Sequence, residues 1–168
     1  ERAKELEGNE KEEAARKIAL AAVKYAMLHT GVKNEIVFDL EASVSLTGSS
    51  GPYLLYIVTR IKSILKKFEC TMKKSAAPEK VEAGERELVL RLGKFPEIAR
   101  AAFDALDSSV IAKYLFELAK AFNAFYETCP VLQAEETVRD FRLRLIRATE
   151  TVMMRGLALL GIETVERM

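Results

Sequence analysis

The sequence predicts an all-α protein, a bundle of six or seven helices, and three observations support this fold class. Apolar residues recur at steps of three and four over most of the chain, which is the spacing of one helix face. Glycine, proline and serine separate these segments, at positions where helices begin and end. No segment has the clear pattern of a strand. The 168 residues suit one globular helical domain, with a helical appendage beside it.

The first predicted helix covers Asn9 to Met27, an alanine-rich stretch with apolar side chains at helical spacing. Asn9 and Glu12 form a possible capping box at its start, and Gly31 is a plausible cap beyond its end. Residues 32–47 mix β-branched side chains with acidic ones. For this stretch the periodicity leaves two alternatives open, a short helix and irregular chain.

A glycine and serine break over residues 48–51 precedes the second helix, which we expect from Pro52 to Phe68. Proline is tolerated in the first helical turn because the N–H that it lacks would have no partner there. This break is also the clearest boundary in the sequence. It divides the chain into a helical segment, residues 1–47, and a helical bundle, residues 48–168.

The second half of the chain is predicted to hold a surface loop and four further helices. The loop covers residues 70–82, which combine a proline with several charged side chains. The helices are bounded by residues that start or stop helices. They run from Glu85 to Leu92 before Gly93, from Pro96 to Leu106, from a cap at Ser108 or Ser109 to a stop at Pro130, and from Ala134 to Leu160 before Gly161.

The composition excludes several classes of site. Lysine and arginine number 26 against 25 aspartate and glutamate residues, so a basic surface for nucleic acid has to be local. The chain has one histidine, His29, and two cysteines, Cys70 and Cys129. These are too few for a histidine-based metal site, a catalytic triad or a disulfide framework. We therefore expect no catalytic residue and no metal site, and we expect both thiols to be reduced.

The hydropathy pattern predicts a soluble protein. The longest stretch without a charged side chain, residues 42–59, contains glycine and proline and is not expected to span a membrane. The first residue is Glu1, and the mixed-charge segment that follows has no apolar core, so no targeting peptide is visible. We expect a monomeric piece of a longer cytoplasmic protein.

Two helical segments carry a local excess of positive charge. The net charge is +5 from Arg60 to Lys74 and +3 from Arg139 to Arg155. Such faces are candidates for contact with the phosphates of a nucleic acid. The residues expected to face phosphate are Lys62, Lys66, Lys67 and Arg142. The alternative is that these segments are ordinary solvated helix faces.

Aromatic residues interleave with the first basic segment. Tyr53 and Tyr56 lie three residues apart, and Arg60 follows Tyr56 by four, so all three are close to one helix face. Such a face can stack an unpaired base on a ring and bind a phosphate with the guanidinium. Core packing of the tyrosine rings is the alternative.

Three segments match one family in the same order along the chain. The first is Gly-Pro-Tyr-Leu-Leu-Tyr at residues 51–56, and the second runs from Tyr114 to Tyr126 and includes Phe-Asn-Ala-Phe-Tyr. The third is the end of the chain, residues 156–168, with Glu-Arg-Met last. Together they resemble the arginyl-tRNA synthetases, whose C-terminal domain is of the DALR anticodon-binding type. The resemblance implies a helical bundle of the class I synthetase anticodon-binding type.

The resemblance also implies a function. The parent enzyme would join arginine to its tRNA with ATP and Mg, and this chain would be the C-terminal part that binds the anticodon loop. The chain itself would be non-catalytic and without a cofactor, and its partners would be an arginine tRNA and the catalytic domain of the same polypeptide. The residues expected at the anticodon are Tyr56, Tyr126 and Met168 from the family pattern, with Tyr53, Arg60, Asn123 and Arg167 as their neighbours.

Two alternatives stay open at this point. The chain could be the related domain of another class I synthetase, such as the cysteinyl enzyme, although the Gly-Pro-Tyr segment and the Glu-Arg-Met ending favour the arginyl one. It could also be a helical protein-interaction module that ignores RNA and uses its tyrosine, phenylalanine and methionine side chains for packing. An autonomous enzyme has no support, because no carboxylate pair stands out as an acid–base couple.

Overall fold

The computed structural model describes residues 8–68, 78–131 and 133–168. All regular secondary structure in these residues is helical, which confirms the predicted fold class. The helices are α1 (Gly8–Leu28), α2 (Leu40–Val44), α3 (Gly51–Phe68), α4 (Ala83–Gly93), α5 (Phe95–Ala105), α6 (Ser109–Thr128) and α7 (Glu136–Leu159). A short segment without helix, residues 160–168, follows α7.

Helix α3 lies at the centre of the bundle, in contact with α1, α6 and α7. Its apolar side chains are buried along most of its length, and Leu54, Ile57 and Ile61 are fully enclosed. Phe122 and Phe125 of α6 are equally buried. Because α3 and α6 share this core, the side chains at the edge of their contact are held on a rigid support.

Helices α1 and α3 approach each other closely at Gly51. A Cβ atom at this position would lie 2.2 Å from the carbonyl oxygen of Ala21, so only glycine fits. One turn further along α1, the hydroxyl of Tyr25 donates to the carbonyl of Ala112 in α6 and lies 2.9 Å from the hydroxyl of Ser49. The division of the chain into residues 1–47 and 48–168 stays a prediction.

The predicted helices are all present, with bounds that differ from the expected ones by no more than two residues. The undecided stretch, residues 32–47, is irregular except for α2, whose start is capped by the Asp39 carboxylate accepting from the N–H of Ala42 at 3.0 Å. In the predicted loop, residues 78–82 are not helical, and residues 70–77 lie outside the described part. Gly161 ends the last helix with a φ of 66°, as the sequence indicated.

Two predicted caps are wrong, and a third is in the predicted place without its side-chain hydrogen bond. Asn9 lies inside α1 rather than before it, and Gly31 lies beyond the end of α1 without the positive φ of a glycine cap. Ser108 is the N-cap residue of α6, as one of the two alternatives predicted, but its side chain makes no capping hydrogen bond. Instead the Asp107 carboxylate accepts from the N–H of Ser109 at 2.9 Å. An Asp two residues before the bonded amide satisfies the helix start as well as a serine does.

Candidate nucleic-acid interface

The aromatic and basic residues predicted on α3 lie at the edge of its contact with α6. The hydroxyl of Ser50 accepts from the N–H of Tyr53 at 3.1 Å and so fixes the first turn of α3. Tyr53 is half-buried, whereas Tyr56 is 40% exposed and Arg60 is intermediate. Tyr56 and Arg60 therefore both reach the surface from one helix.

Hydrogen bonds join this edge of α3 to Asn123 of α6. The Asn123 side-chain oxygen accepts from Arg60 Nη1 at 3.2 Å, and its Nδ2 donates to the Tyr53 hydroxyl at 3.0 Å. Burial raises the pKa of the Tyr53 hydroxyl above its usual value, and the hydrogen bond from Asn123 opposes part of this shift. A single amide thus fixes two side chains of the neighbouring helix.

A cation–aromatic contact lies next to these hydrogen bonds. The Arg60 guanidinium carbon is 4.8 Å from the centre of the Tyr126 ring, a distance at which the charge is attracted to the ring. The Tyr126 ring in turn stacks on the buried Phe122, with centroids 6.0 Å apart and planes 26° from parallel. The structure therefore brings together four of the predicted residues, Tyr53, Arg60, Asn123 and Tyr126. We call these four and the exposed Tyr56 the α3–α6 cluster.

Sequence analysis missed two residues that extend the α3–α6 cluster. The Phe116 ring packs edge-on against Tyr53, with centroids 5.8 Å apart, and Lys120 Nζ lies 5.4 Å from the centre of the same ring. Lys120 is also paired with Glu117 at 3.0 Å. The signal was available, because Phe116, Lys120 and Asn123 follow one another at steps of four and three on one face of α6.

The segment that follows α7 packs on the core and is bonded to α3. Ile162 and Val165 are buried, Met168 is half-buried against the core, and Arg167 is exposed. The Glu166 carboxylate accepts from Lys62 Nζ at 2.5 Å. Lys62 is two residues from Arg60, and Glu166 is two residues from Met168, so this ion pair brings the chain end to the same level of α3, although Lys62 and Arg60 point to different sides of the helix. Two residues span at most about 7 Å.

The lysines predicted to face phosphate differ in their surroundings. Lys66 and Lys67 are exposed in the last turn of α3. The Lys62 side chain is only 15% exposed and is committed to Glu166. A phosphate contact by Lys66 or Lys67 stays a prediction, and Lys62 has a partner within the chain.

The prediction for Arg142 is wrong, because this residue does not lie on an exposed face. It is 8% exposed, and its Nε donates to the fully buried Glu85 carboxylate at 2.5 Å. Its Nη1 donates to the carbonyl of Pro130 at 2.6 Å, at the end of α6. The other oxygen of Glu85 accepts from the N–H of Glu82 at 2.7 Å. The arginine therefore joins α4, α7 and the end of α6, because a buried guanidinium needs a carboxylate and carbonyls in place of water.

Neither a metal site nor a membrane-spanning helix is present in the described residues. Among the described residues, no group of three or more histidine, cysteine, aspartate or glutamate side chains could hold a metal ion. Within the same ranges, none of the helices has the length and apolar character needed to cross a bilayer.

The α3–α6 cluster has the residue types that bind unpaired nucleotides. An exposed tyrosine ring can stack a base, and a guanidinium held over a second ring presents N–H donors in one plane to a base edge or a phosphate. The preformed bond to Asn123 and the contact with Tyr126 fix the arginine before any ligand arrives. Preorganisation of this kind reduces the entropy lost on binding.

Comparison with known proteins gives the same assignment for the fold. Residues 54–168 match the model of the DALR anticodon binding domain. The chain is 42% identical to the arginine–tRNA ligase of Shewanella amazonensis over 98% of the chain and 28% of that protein. It is 39% identical to the arginine–tRNA ligase of Pyrobaculum islandicum, over 92% of the chain and 24% of that protein. The solved arginyl-tRNA synthetase of Thermus thermophilus matches 94% of the chain, 28% of that protein, with 36% identity and a TM-score of 0.85.

The chain belongs to the DALR anticodon binding domain family. Within that family, the relatives that it matches are arginine–tRNA ligases, which confirms the resemblance seen in the sequence motifs. The chain spans about 28% of the length of the Shewanella amazonensis relative.

Proposed function

We propose that this chain binds the anticodon loop of an arginine tRNA through the α3–α6 cluster. The observation that carries the proposal is the Arg60 guanidinium, which is fixed over the Tyr126 ring and bonded to Asn123 on a half-exposed surface. Tyr56 provides an exposed ring on the same face of α3. Membership of an anticodon binding family supports this reading over a protein-interaction module.

In the proposed complex the residues have distinct roles. Tyr56 stacks an unpaired base, and Arg60 donates to a base edge or a phosphate. Arg60 is held in place by its hydrogen bond to Asn123 and its contact with the Tyr126 ring, and Asn123 is itself bonded to Tyr53. Arg167 and Met168 contact the anticodon loop from the end of the chain, and the exposed Lys66 and Lys67 contact the phosphates further along the RNA.

The whole protein is proposed to be an arginine–tRNA ligase that acts in the cytoplasm, where tRNA charging serves translation. The ATP and Mg that the ligation uses would then bind in the catalytic part of the same polypeptide, outside this chain. That part and the arginine tRNA are the proposed partners. The protein is also proposed to be a monomer.

The proposal predicts a loss of RNA affinity in Tyr56→Ala. Stacking of one base on an aromatic ring contributes about 1–3 kcal/mol, so the variant should bind an arginine anticodon stem-loop roughly 5- to 150-fold more weakly. Fluorescence anisotropy with a labelled stem-loop measures this, at two salt concentrations and beside a stem-loop with altered anticodon bases. The wild-type chain should prefer the intact anticodon, and its affinity should fall as salt increases.

Phe103→Ala is the matched control for Tyr56→Ala. Phe103 is 71% exposed on α5 and is not part of the α3–α6 cluster. The control should bind like the wild-type chain, and circular dichroism should show both variants folded. Equal binding of the intact and the altered anticodon by the wild-type chain would contradict the proposal. If Tyr56→Ala binds the stem-loop with the affinity of the wild-type chain, this tyrosine is not part of the interface.

The surface for the catalytic part is proposed on α1 and the segment that includes α2. Leu20, Val23 and Met27 lie at steps of three and four on α1 and are 39–47% exposed. The adjoining residues 32–46 expose further large apolar side chains, among them Val37 at 88% and Leu40 at 65%. Exposed apolar side chains that cluster in one region mark an interface. The covering partner is the remaining part of a ligase of the relatives' length, of which this chain is only about 28%.

A further inference from the structure

The segment after α7 is tied to the bundle by three lysines from two different helices. Lys24 of α1 donates to the carbonyl of Gly161, at the turn where the segment begins. Lys17 of α1 lies 3.6 Å from the Glu163 carboxylate. Lys62 of α3 bonds Glu166 at 2.5 Å. The contacts involve Gly161, Glu163 and Glu166, so polar groups hold the segment at three points in addition to its buried apolar residues.

Of these three contacts, the one between Lys62 and Glu166 ties the segment to α3, the helix that also carries Tyr56 and Arg60. The Lys62 side chain is 15% exposed, whereas the Glu166 side chain is 86% exposed. A lysine enclosed in this way and neutralised by a carboxylate has little charge to offer a phosphate. Lys66, four residues further along α3, is exposed and presents its ammonium group to solvent. The two lysines are therefore expected to act differently although both belong to the same basic segment.

We propose that Lys62 is a positioning residue for the RNA-binding surface and does not contact phosphate. Its ion pair with Glu166 holds residues 162–168 against α3, and Arg167 and Met168 of this segment belong to the proposed interface. The inference rests on the proposed function, because it concerns how the same surface distinguishes one anticodon loop from another. Loss of the ion pair is expected to leave the phosphate contacts unchanged and to reduce the ratio of affinities for the correct and the altered anticodon loop.

The test uses two double variants that keep the net charge constant, and one single variant as a control. In Lys62→Met/Glu166→Gln the ion pair is removed and one charge of each sign is lost. In Lys62→Glu/Glu166→Lys the pair is restored with its partners exchanged. Lys66→Met is the matched control, because it removes an exposed lysine from the same helix. Binding of the intact and the altered anticodon stem-loop is measured by anisotropy over a range of salt concentrations.

The two roles for Lys62 give different outcomes. Each phosphate contact to a single strand contributes about −0.7 to the slope of log affinity against log salt. If Lys62 is a positioning residue, the neutral pair variant keeps the wild-type slope, and its preference for the intact anticodon falls about two- to fivefold. The exchanged pair recovers that preference. Lys66→Met makes the slope shallower by about 0.7 and keeps the preference.

A slope that becomes shallower by about 0.7 in the neutral pair variant, with no recovery in the exchanged pair, overturns the proposal in favour of a phosphate contact. A second measurement does not depend on RNA at all. Hydrogen exchange of the amides of residues 162–168 should accelerate in the neutral pair variant and return toward the wild-type rate in the exchanged pair. Unchanged exchange also overturns the positioning role. If the wild-type chain does not distinguish the two loops, the proposed function fails while the exchange result still decides how the segment is held.

Discussion

At the scale of single residues, Arg142 shows that a positive charge in a basic segment can serve either of two roles, a phosphate contact at the surface or a buried ion pair between helices. Sequence alone placed Arg142 in a basic helical segment, and its spacing on α7 is compatible with an exposed face. The structure encloses it with Glu85 and the carbonyl of Pro130. Charge patterns count residues without regard to their partners, so they do not distinguish a phosphate-binding arginine from one that joins helices.

Removal of this guanidinium should destabilise the fold. In Arg142→Met the Glu85 carboxylate stays fully buried without its cation, which typically costs about 3–5 kcal/mol. Urea unfolding followed by circular dichroism measures the loss. The double variant Glu85→Gln/Arg142→Met should recover part of it, since no unpaired charge remains.

Arg147→Met is the control for this prediction, because Arg147 is exposed on the same helix. A surface substitution of this kind is expected to change the free energy of unfolding by no more than about 0.5 kcal/mol. An equally small change in Arg142→Met would show that the Glu85 carboxylate is solvated in solution.

At the scale of elements, the position of α3 depends on its contact with α1. The glycine and serine break before α3 was recognised as a boundary, and the helix start was predicted within one residue. The reason for glycine at position 51 was not visible in the sequence, since it is the backbone of Ala21 rather than a turn that excludes a side chain.

Gly51→Ala should therefore force α1 and α3 apart. The added Cβ would lie 2.2 Å from a backbone oxygen, which has no rotamer with which to move away. Overpacking of this kind typically costs about 1–3 kcal/mol. Thermal or urea unfolding measures the cost, and weaker binding of the anticodon stem-loop should accompany it, since the first turn of α3 carries Tyr53.

Gly93→Ala offers the comparison within a helix. A Cβ at Gly93 meets nothing within 4 Å, and alanine is the better helix former by about 1 kcal/mol in a helix interior. This variant should be as stable as the wild-type chain or slightly more so. If Gly51→Ala behaves in the same way, the close approach of the two helices is relaxed in solution.

At the scale of the whole molecule, the exposed apolar face on α1 and residues 32–46 is the surface proposed for contact with the catalytic part. The test is a chimera in which this chain replaces the matching part of the Shewanella amazonensis ligase, to which it is 42% identical. Val37→Asp should lower the thermal stability of the chimera and leave that of the isolated chain unchanged. Val37 is 88% exposed in the chain alone and would be buried by the catalytic part.

Phe103→Asp is the control for the chimera, because Phe103 is exposed on α5. It should affect neither protein. Concentration-dependent dimerisation of the isolated chain that Val37→Asp abolishes, with no effect in the chimera, would assign the face to a second copy instead.

The sequence by itself determined the helical class, the order of the helices and most of their ends, because apolar periodicity and glycine or proline punctuation act over a few residues. Its short motifs also determined the family. The tertiary structure decided which charged side chains are buried, which caps form and which side chains meet across α3 and α6. Arg60, Asn123 and Tyr126 are separated by as many as 66 residues, and the contact between them exists only when the helices pack. Burial and pairing are properties of two surfaces in contact, and local sequence describes only one of them.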